Sequence, residues 1–192
     1  DQQSCTGSYI IYNEAYDIMG QEGILNCAAT ANASWNIDTV GDVPTGCASD
    51  YLISVTNSTS SDNLASAGYG QTTIDLAAPG SSILSTTSTS GYSSYTGTSM
   101  ATPQVTGAIA LMYAAAGEDV INESIINPAK VALEMKNLLL TEGVDTQGLS
   151  GNITQTVSQG RLNLRKAVEA AENVTVTSLL GDLNNDGSIN VL

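Results

Sequence analysis

The amino-acid sequence predicts an α/β domain built on a parallel β-sheet. Three features carry that expectation. An amphipathic helix pattern precedes the first apolar strand run, a second strand run follows only after a polar loop, and an uncharged helical stretch lies beyond both. The chain has 192 residues, enough to bury a real core in one domain or a domain with an appendage.

The elements follow in order. Residues 9–19 place apolar side chains at helical spacing and end at Gly20, a common stop. Gly23–Ala29 is a short apolar run that reads as a buried strand, and the Asn-containing stretch after it marks a loop. Tyr51–Thr56 reads as a second strand. Thr72–Leu76 is a shorter candidate, closed by the Ala78-Pro79-Gly80 turn. Residues 81–98 are mostly Ser, Thr, Gly and Tyr, a hairpin or a loop. Ser99–Ala116 carries no charge, and a helix apolar on all sides is expected at the centre of a domain. Asn127-Pro128 opens the next helix, which runs to about Leu140, with proline in the first turn. Leu162–Ala171 completes the set as an amphipathic helix, and Val174–Leu180 is a linker or a short strand.

Composition excludes several functions. Five Lys and Arg stand against 19 Asp and Glu, a net charge of −14, and no basic residue precedes Lys130. Such a surface repels nucleic acid and anionic membranes. The chain contains no histidine, so it supplies no imidazole base and no imidazole metal ligand of its own. No stretch reads as a membrane span. Ser and Thr make up 43 of the 192 residues and charged residues only 12%, a secreted style of surface. Three cysteines fit an exported protein with one disulfide and one buried thiol. Cys27 lies inside the first strand run and reads as an inert core thiol. Cys5 and Cys47 lie in polar loops, so a single disulfide would join that pair. Five Asn-x-Ser/Thr sequons, at Asn32, Asn57, Asn122, Asn152 and Asn173, are what chance gives in so hydroxyl-rich a chain.

The candidate chemistry centres on Gly97-Thr98-Ser99-Met100-Ala101. A serine where a glycine loop enters an apolar helix has its N–H among the unpaired donors of the helix start, where negative charge is favoured. The pentapeptide alone reads more readily as a helix cap, a common role of serine. The wider string decides between them. Asp75-Leu76-Ala77-Ala78-Pro79-Gly80, followed by Gly97-Thr98-Ser99-Met100-Ala101-Thr102-Pro103-Gln104-Val105-Thr106-Gly107, resembles the subtilisin-like serine peptidases, whose nucleophile motif has this form. Ala29-Thr30-Ala31-Asn32 falls where that family carries its oxyanion asparagine. Gly160-Arg161-Leu162-Asn163-Leu164 with Ala167 resembles its closing helix.

The resemblance implies the C-terminal part of a subtilisin-like three-layer fold over residues 1–172, and a secreted endopeptidase acting on proteins or peptides. Ser99 matches the nucleophile, Asn32 the side-chain donor to the oxyanion, and Thr98 a support for that site. Residues 42–47 match the neighbourhood of the primary specificity pocket. The family's aspartate and histidine precede its oxyanion asparagine, and Asp17 and Asp38 match neither motif. The resemblance therefore places the triad partners upstream of this sequence. It implies that the chain alone is inactive and, as a cut sheet, unstable. Gln104 stands where the family usually has a structural histidine. The alternative is a non-catalytic pseudopeptidase or a calcium-dependent binding module in which the motif survives as packing.

After a linker at 173–180, residues 181–192 form a separate segment. Asp182, Asn184, Asp186, Ser188 and Asn190, with Gly187 at the turn, follow the spacing of an EF-hand-type calcium loop. They resemble a truncated dockerin repeat, which implies a structural Ca2+ and a scaffold or cell-surface partner; the other reading is a plain acidic tail.

Overall fold

The computed structural model of the chain describes residues 5, 9–88, 90–149 and 151–176. Helix α1 (Ile10–Gln21) leads into strand β1 (Asn26–Ala29), and a single turn, α2 (Ile37–Val40), interrupts the loop before β2 (Leu52–Ser58). Then come β3 (Leu76–Pro79), the hairpin β4 (Ile83–Thr86) and β5 (Tyr92–Tyr95), and helices α3 (Thr98–Ala115), α4 (Glu118–Ile126) and α5 (Pro128–Thr141). The two-residue strands β6 (Val144–Asp145) and β7 (Arg161–Leu162) flank a 3-10 turn, and α6 (Leu164–Asn173) closes the described chain.

The sheet order is β1-β2-β3-β7-β6. Neighbours from β1 to β7 run parallel, with Asn26 opposite Leu52, Val55 opposite Leu76 and Ala77 opposite Arg161; only β6 is antiparallel. Every residue of β2 is buried, as expected for a central strand covered on both faces. The predicted mostly parallel α/β architecture is the one observed.

Helix α3 lies across β1, β2 and β3 and packs against α5 and α6. Its buried residues Ala101, Val105, Ala108 and Met112 join Ile53, Val55, Leu76, Met135 and Leu139 in one core. The expectation that α3 is buried all round is corrected here, because Pro103, Thr106, Gly107, Ala110, Leu111 and Ala114 face outward. Small and weakly polar residues hide a helix's wet face, since they carry little apolar area to betray it.

Other boundaries also moved. The third strand occupies 76–79 rather than 72–76. The Asp38 carboxylate accepts hydrogen bonds from the N–H groups of Gln71 (2.8 Å) and Thr72 (3.2 Å), and so holds the backbone before the strand in a turn. The segment 81–98 is a hairpin, with Ile83 opposite Tyr95. Arg161-Leu162, assigned to the closing helix, is strand β7, and α6 starts after an Asn163 cap whose Oδ1 accepts from the Lys166 N–H. That corner is fixed by charge. Asp145 pairs with Lys166 (2.9 Å) and Arg161 (3.2 Å), and Arg161 Nε lies 2.9 Å from Asp62. The Lys166 hydrogen bond leads the influences that hold the Asp145 carboxyl below its usual range.

The Cys5–Cys47 disulfide is present, with Cα atoms 4.9 Å apart. Helix α1 leaves Ile10, Ile11 and Ile18 exposed, yet its inner side is tight, because a Cβ at Gly20 would overlap the ring of Tyr51. Gly20→Ala is expected to cost about 1–3 kcal/mol of stability through this overpacking. Urea unfolding reads the change, and an unaltered midpoint and slope would remove the Gly20–Tyr51 contact from the core.

Candidate active site

Two chain segments meet where β1 ends and α3 begins. Thr30 and Asn32 leave the C-terminal end of β1, while Gly97, Thr98 and Ser99 start α3. The Thr98 N–H donates to Asn32 Oδ1 at 2.9 Å, and the Thr98 hydroxyl lies 2.6 Å from the Thr30 carbonyl and 3.1 Å from Asn32 Oδ1. One hydroxyl proton serves one acceptor at a time, so the shorter contact identifies Thr30 as its main partner. Thr98 is buried and ties the two segments together.

This arrangement orients Asn32. With its oxygen held by Thr98, the amide presents Nδ2, which makes no hydrogen bond among the described residues. Gly97 allows the approach, since a Cβ there would sit 3.2 Å from Asn32 Oδ1. Ser99 is exposed in the first turn of α3. It is not the helix cap. Gly97 occupies the cap position and has no side chain to offer, Asn32 Oδ1 from the other segment accepts from the first-turn Thr98 N–H, and the Ser99 hydroxyl makes no hydrogen bond among the described residues. Its N–H belongs to the first turn, where no intrahelical acceptor exists. Among the described residues, Asn32 Nδ2, the Ser99 N–H and the Ser99 hydroxyl make no hydrogen bond, and the Thr98–Asn32 bond joins the two segments that carry them.

The helix start is braced from below. Pro103 has no N–H to give to the carbonyl four residues back, that of Ser99. Gln104 Nε2 instead reaches out of the helix to donate to the Pro79 carbonyl at the end of β3, at 2.6 Å. Gln104, at the position where the resemblance expects a structural histidine, thus has a structural contact of its own. Gly97 N–H donates to the Gly80 carbonyl at 2.9 Å, which ties the Pro79-Gly80 turn to the serine loop.

Segment 42–47 packs beneath Asn32. Asp42, buried and followed by a cis Val43–Pro44 bond, accepts at Oδ2 from Thr45 Oγ1 (2.6 Å), Thr30 Oγ1 (3.2 Å) and the Ala31 N–H (3.2 Å). No motif or spacing in the chain announces these partners. Asp38 has a structural duty, accepting also from the hydroxyls of Thr72 and Thr73, each at 2.8 Å. Partial burial works to raise its carboxyl, but those hydrogen bonds outweigh it and hold the group below its usual range. Among the described residues, Asp17 accepts only from Asn13, one turn away on α1. Burial pushes the Cys27 thiol up, which disfavours the thiolate and suits an inert side chain. No group of three or more Cys, Asp or Glu residues placed to hold a metal occurs among the described residues. The calcium-loop residues Asp182 to Asn190 lie outside the described residues.

Comparison with known proteins supplies the class. A match to the subtilase family of peptidases spans residues 2–163, and the chain belongs to that family. It is 37% identical over 152 residues to an extracellular protease of Xanthomonas campestris pv. campestris, covering 76% of this chain and 23% of that protein. It is 38% identical over 120 residues to an alkaline extracellular protease of Yarrowia lipolytica, covering 58% of this chain and 25% of the relative. Over 60 residues it is 47% identical to thermitase of Thermoactinomyces vulgaris, covering 31% of this chain and 22% of thermitase. Among solved structures, the epidermin leader peptide processing serine protease of Staphylococcus aureus superposes with a TM-score of 0.69 at 21% identity, covering 87% of this chain and 45% of that one. The A-subunit of the AB5 toxin from E. coli gives 0.66 at 24% identity, covering 89% of this chain and 58% of that one. The chain therefore spans about a quarter of the length of these curated relatives, and the structural likenesses establish the fold.

Proposed function

We propose that this chain carries the nucleophile and oxyanion-binding part of a secreted serine endopeptidase. The observation that carries the reading is the Thr98–Asn32 bond beside Ser99. It joins the two segments that carry an amide N–H, a helix-start N–H and a hydroxyl, none of which makes a hydrogen bond among the described residues. In the proposed reaction, Ser99 Oγ bonds to the peptide carbonyl carbon as its proton passes to a base. The carbonyl oxygen, now negative, lies between Asn32 Nδ2 and the Ser99 N–H. The C–N bond then breaks, the amine leaves with the proton, and water hydrolyses the acyl-serine. The chain has no histidine, so the imidazole base comes from outside residues 1–192, and on the family's motif order the aspartate that orients it does too. The chain by itself is inactive on this reading.

Extracellular action is supported by the names of the Xanthomonas and Yarrowia relatives and by the disulfide. No helix among the described residues is long and apolar enough to cross a membrane. The tail is proposed to hold a structural Ca2+ through Asp182, Asn184, Asp186, Ser188 and Asn190, a hard-oxygen donor set suited to that ion, and thereby to engage a scaffold or cell-surface partner.

The deciding experiment treats the intact protein with a fluorophosphonate and maps the labelled peptide. Modification of Ser99, lost in Ser99→Ala, is the expected result. A folded, mature protein that takes no label overturns the peptidase reading in favour of a binding module. In that case, calcium titration of the tail becomes the informative measurement.

A further inference from the structure

We infer that Asp42 is a positioning residue for the oxyanion donor Asn32, an inference that rests on the peptidase reading above. Asn32 sits on an exposed loop, and Thr98 holds only its side-chain oxygen. The direction of its backbone is set by the two residues before it. Both are held by one atom, Asp42 Oδ2, which accepts from the Thr30 hydroxyl and the Ala31 N–H at 3.2 Å each. Thr45 Oγ1, at 2.6 Å, fixes that oxygen from the other side. The Thr30 carbonyl in turn accepts from the Thr98 hydroxyl at 2.6 Å. A continuous path of hydrogen bonds therefore runs from Asp42 through Thr30 to the start of α3, where Ser99 lies. Asp42 is only 3% exposed, so it acts through these groups and not by touching substrate. A carboxylate so deeply buried is tolerated where several donors converge on it, and donors so gathered are fixed in place.

The test is a double-mutant cycle in the intact protein, with kcat expressed per fluorophosphonate-titrated site so that misfolded enzyme does not count. Asp42→Ala is expected to lower kcat roughly 10- to 100-fold, less than loss of the donor itself, with KM within about 3-fold. Asp42→Asn, which keeps an acceptor oxygen, recovers most of the loss. In an Asn32→Ala background, Asp42→Ala should lower kcat by less than about 3-fold, because the group it positions has gone. An equal loss in both backgrounds, or no loss in either, overturns the inference while leaving the peptidase reading intact. An intact protein with neither label nor activity overturns both. Should Asp42→Ala fail to fold, the same cycle with Thr45→Val, which removes the shortest bond to Asp42, decides the matter.

Discussion

Asn32→Ala in the intact protein is expected to lower kcat about 10²- to 10³-fold while leaving KM nearly unchanged. On the proposed reaction, the amide faces a charge that exists only in the tetrahedral intermediate. The ground-state carbonyl gains little from it, so its removal appears in the chemical step and not in binding. Thr98 spends its N–H on Asn32 Oδ1, which fixes which end of the amide points outward before substrate arrives. Two further substitutions separate donating from holding. Asn32→Asp keeps an oxygen for the Thr98 N–H but offers no N–H and adds negative charge, so it is expected to be at least as damaging as alanine. Thr98→Val keeps its N–H but loses the link to the Thr30 carbonyl, and is expected to cost less, about 10-fold. Equal kcat for Asn32→Asp and the wild type would remove Asn32 from the oxyanion site.

The parts of this site that were legible in the sequence are those written locally. Gly97 to Gly107 is one contiguous string, and Asn32 follows a recognisable apolar strand, so both stood out before any coordinates. Thr98 was legible for the same reason, as a neighbour within the motif. Asp42 was not. Donors to its Oδ2 come from residues 30, 31 and 45, and it is the path of the chain between them that brings them to one oxygen. Gln104 could be noticed as a departure from a pattern, but its donation to Pro79 joins a helix to a strand 25 residues earlier, which no spacing rule reports.

The fold divides along the same line. The parallel order of β1 and β2 followed from two apolar runs and the loop between them. Strands β6 and β7, two residues each, are too short to show a period, and they exist because β7 pairs with β3 while charge on Asp145 gathers Arg161 and Lys166 around them. Helix α4 went unread, because its short span begins with acidic residues directly after the apolar run of α3 and lacks a side-chain cap. The shift of β3 had a distant cause too, the Asp38 carboxylate lying more than 30 residues upstream of the turn that it holds.

The other large effect lies at the opposite end of the sheet, where β2 begins. Lys136 on α5 reaches a cavity of about 280 Å³ lined in part by Ser54 and Asp75. Its Nζ donates to the carbonyls of Leu52 (2.6 Å) and Asp50 (3.0 Å) and lies 3.8 Å from Asp75 Oδ1. Asp75 Oδ2 accepts from the Ser54 N–H at 2.7 Å; the Ser54 hydroxyl lies 3.0 Å from that oxygen and 2.6 Å from the Thr73 carbonyl, its nearer acceptor. Burial pushes the Asp75 carboxyl up, and Lys136 leads the influences that oppose it.

Lys136→Met is therefore expected to destabilise the intact protein by about 3 kcal/mol at neutral pH, because it leaves a buried carboxylate without its cation. The sign of the pH dependence follows from the direction of the Asp75 shift. A carboxyl whose folded pKa exceeds its unfolded value favours folding when protonated, and loses that advantage as pH rises through the folded value. Without Lys136 the folded value climbs further. The deficit of Lys136→Met relative to wild type should then be small in acid and grow as pH rises through the raised pKa of Asp75, levelling off once the carboxyl is ionised in both proteins. Denaturant unfolding between about pH 4 and about pH 8 reads this directly. A residual deficit at low pH measures the lost bonds to Asp50 and Leu52, and Asp75→Asn combined with Lys136→Met should show that residue alone at every pH. A deficit for Lys136→Met that stays constant across the range would mean that Lys136 serves those two carbonyls only, and that the buried carboxyl is held by Ser54.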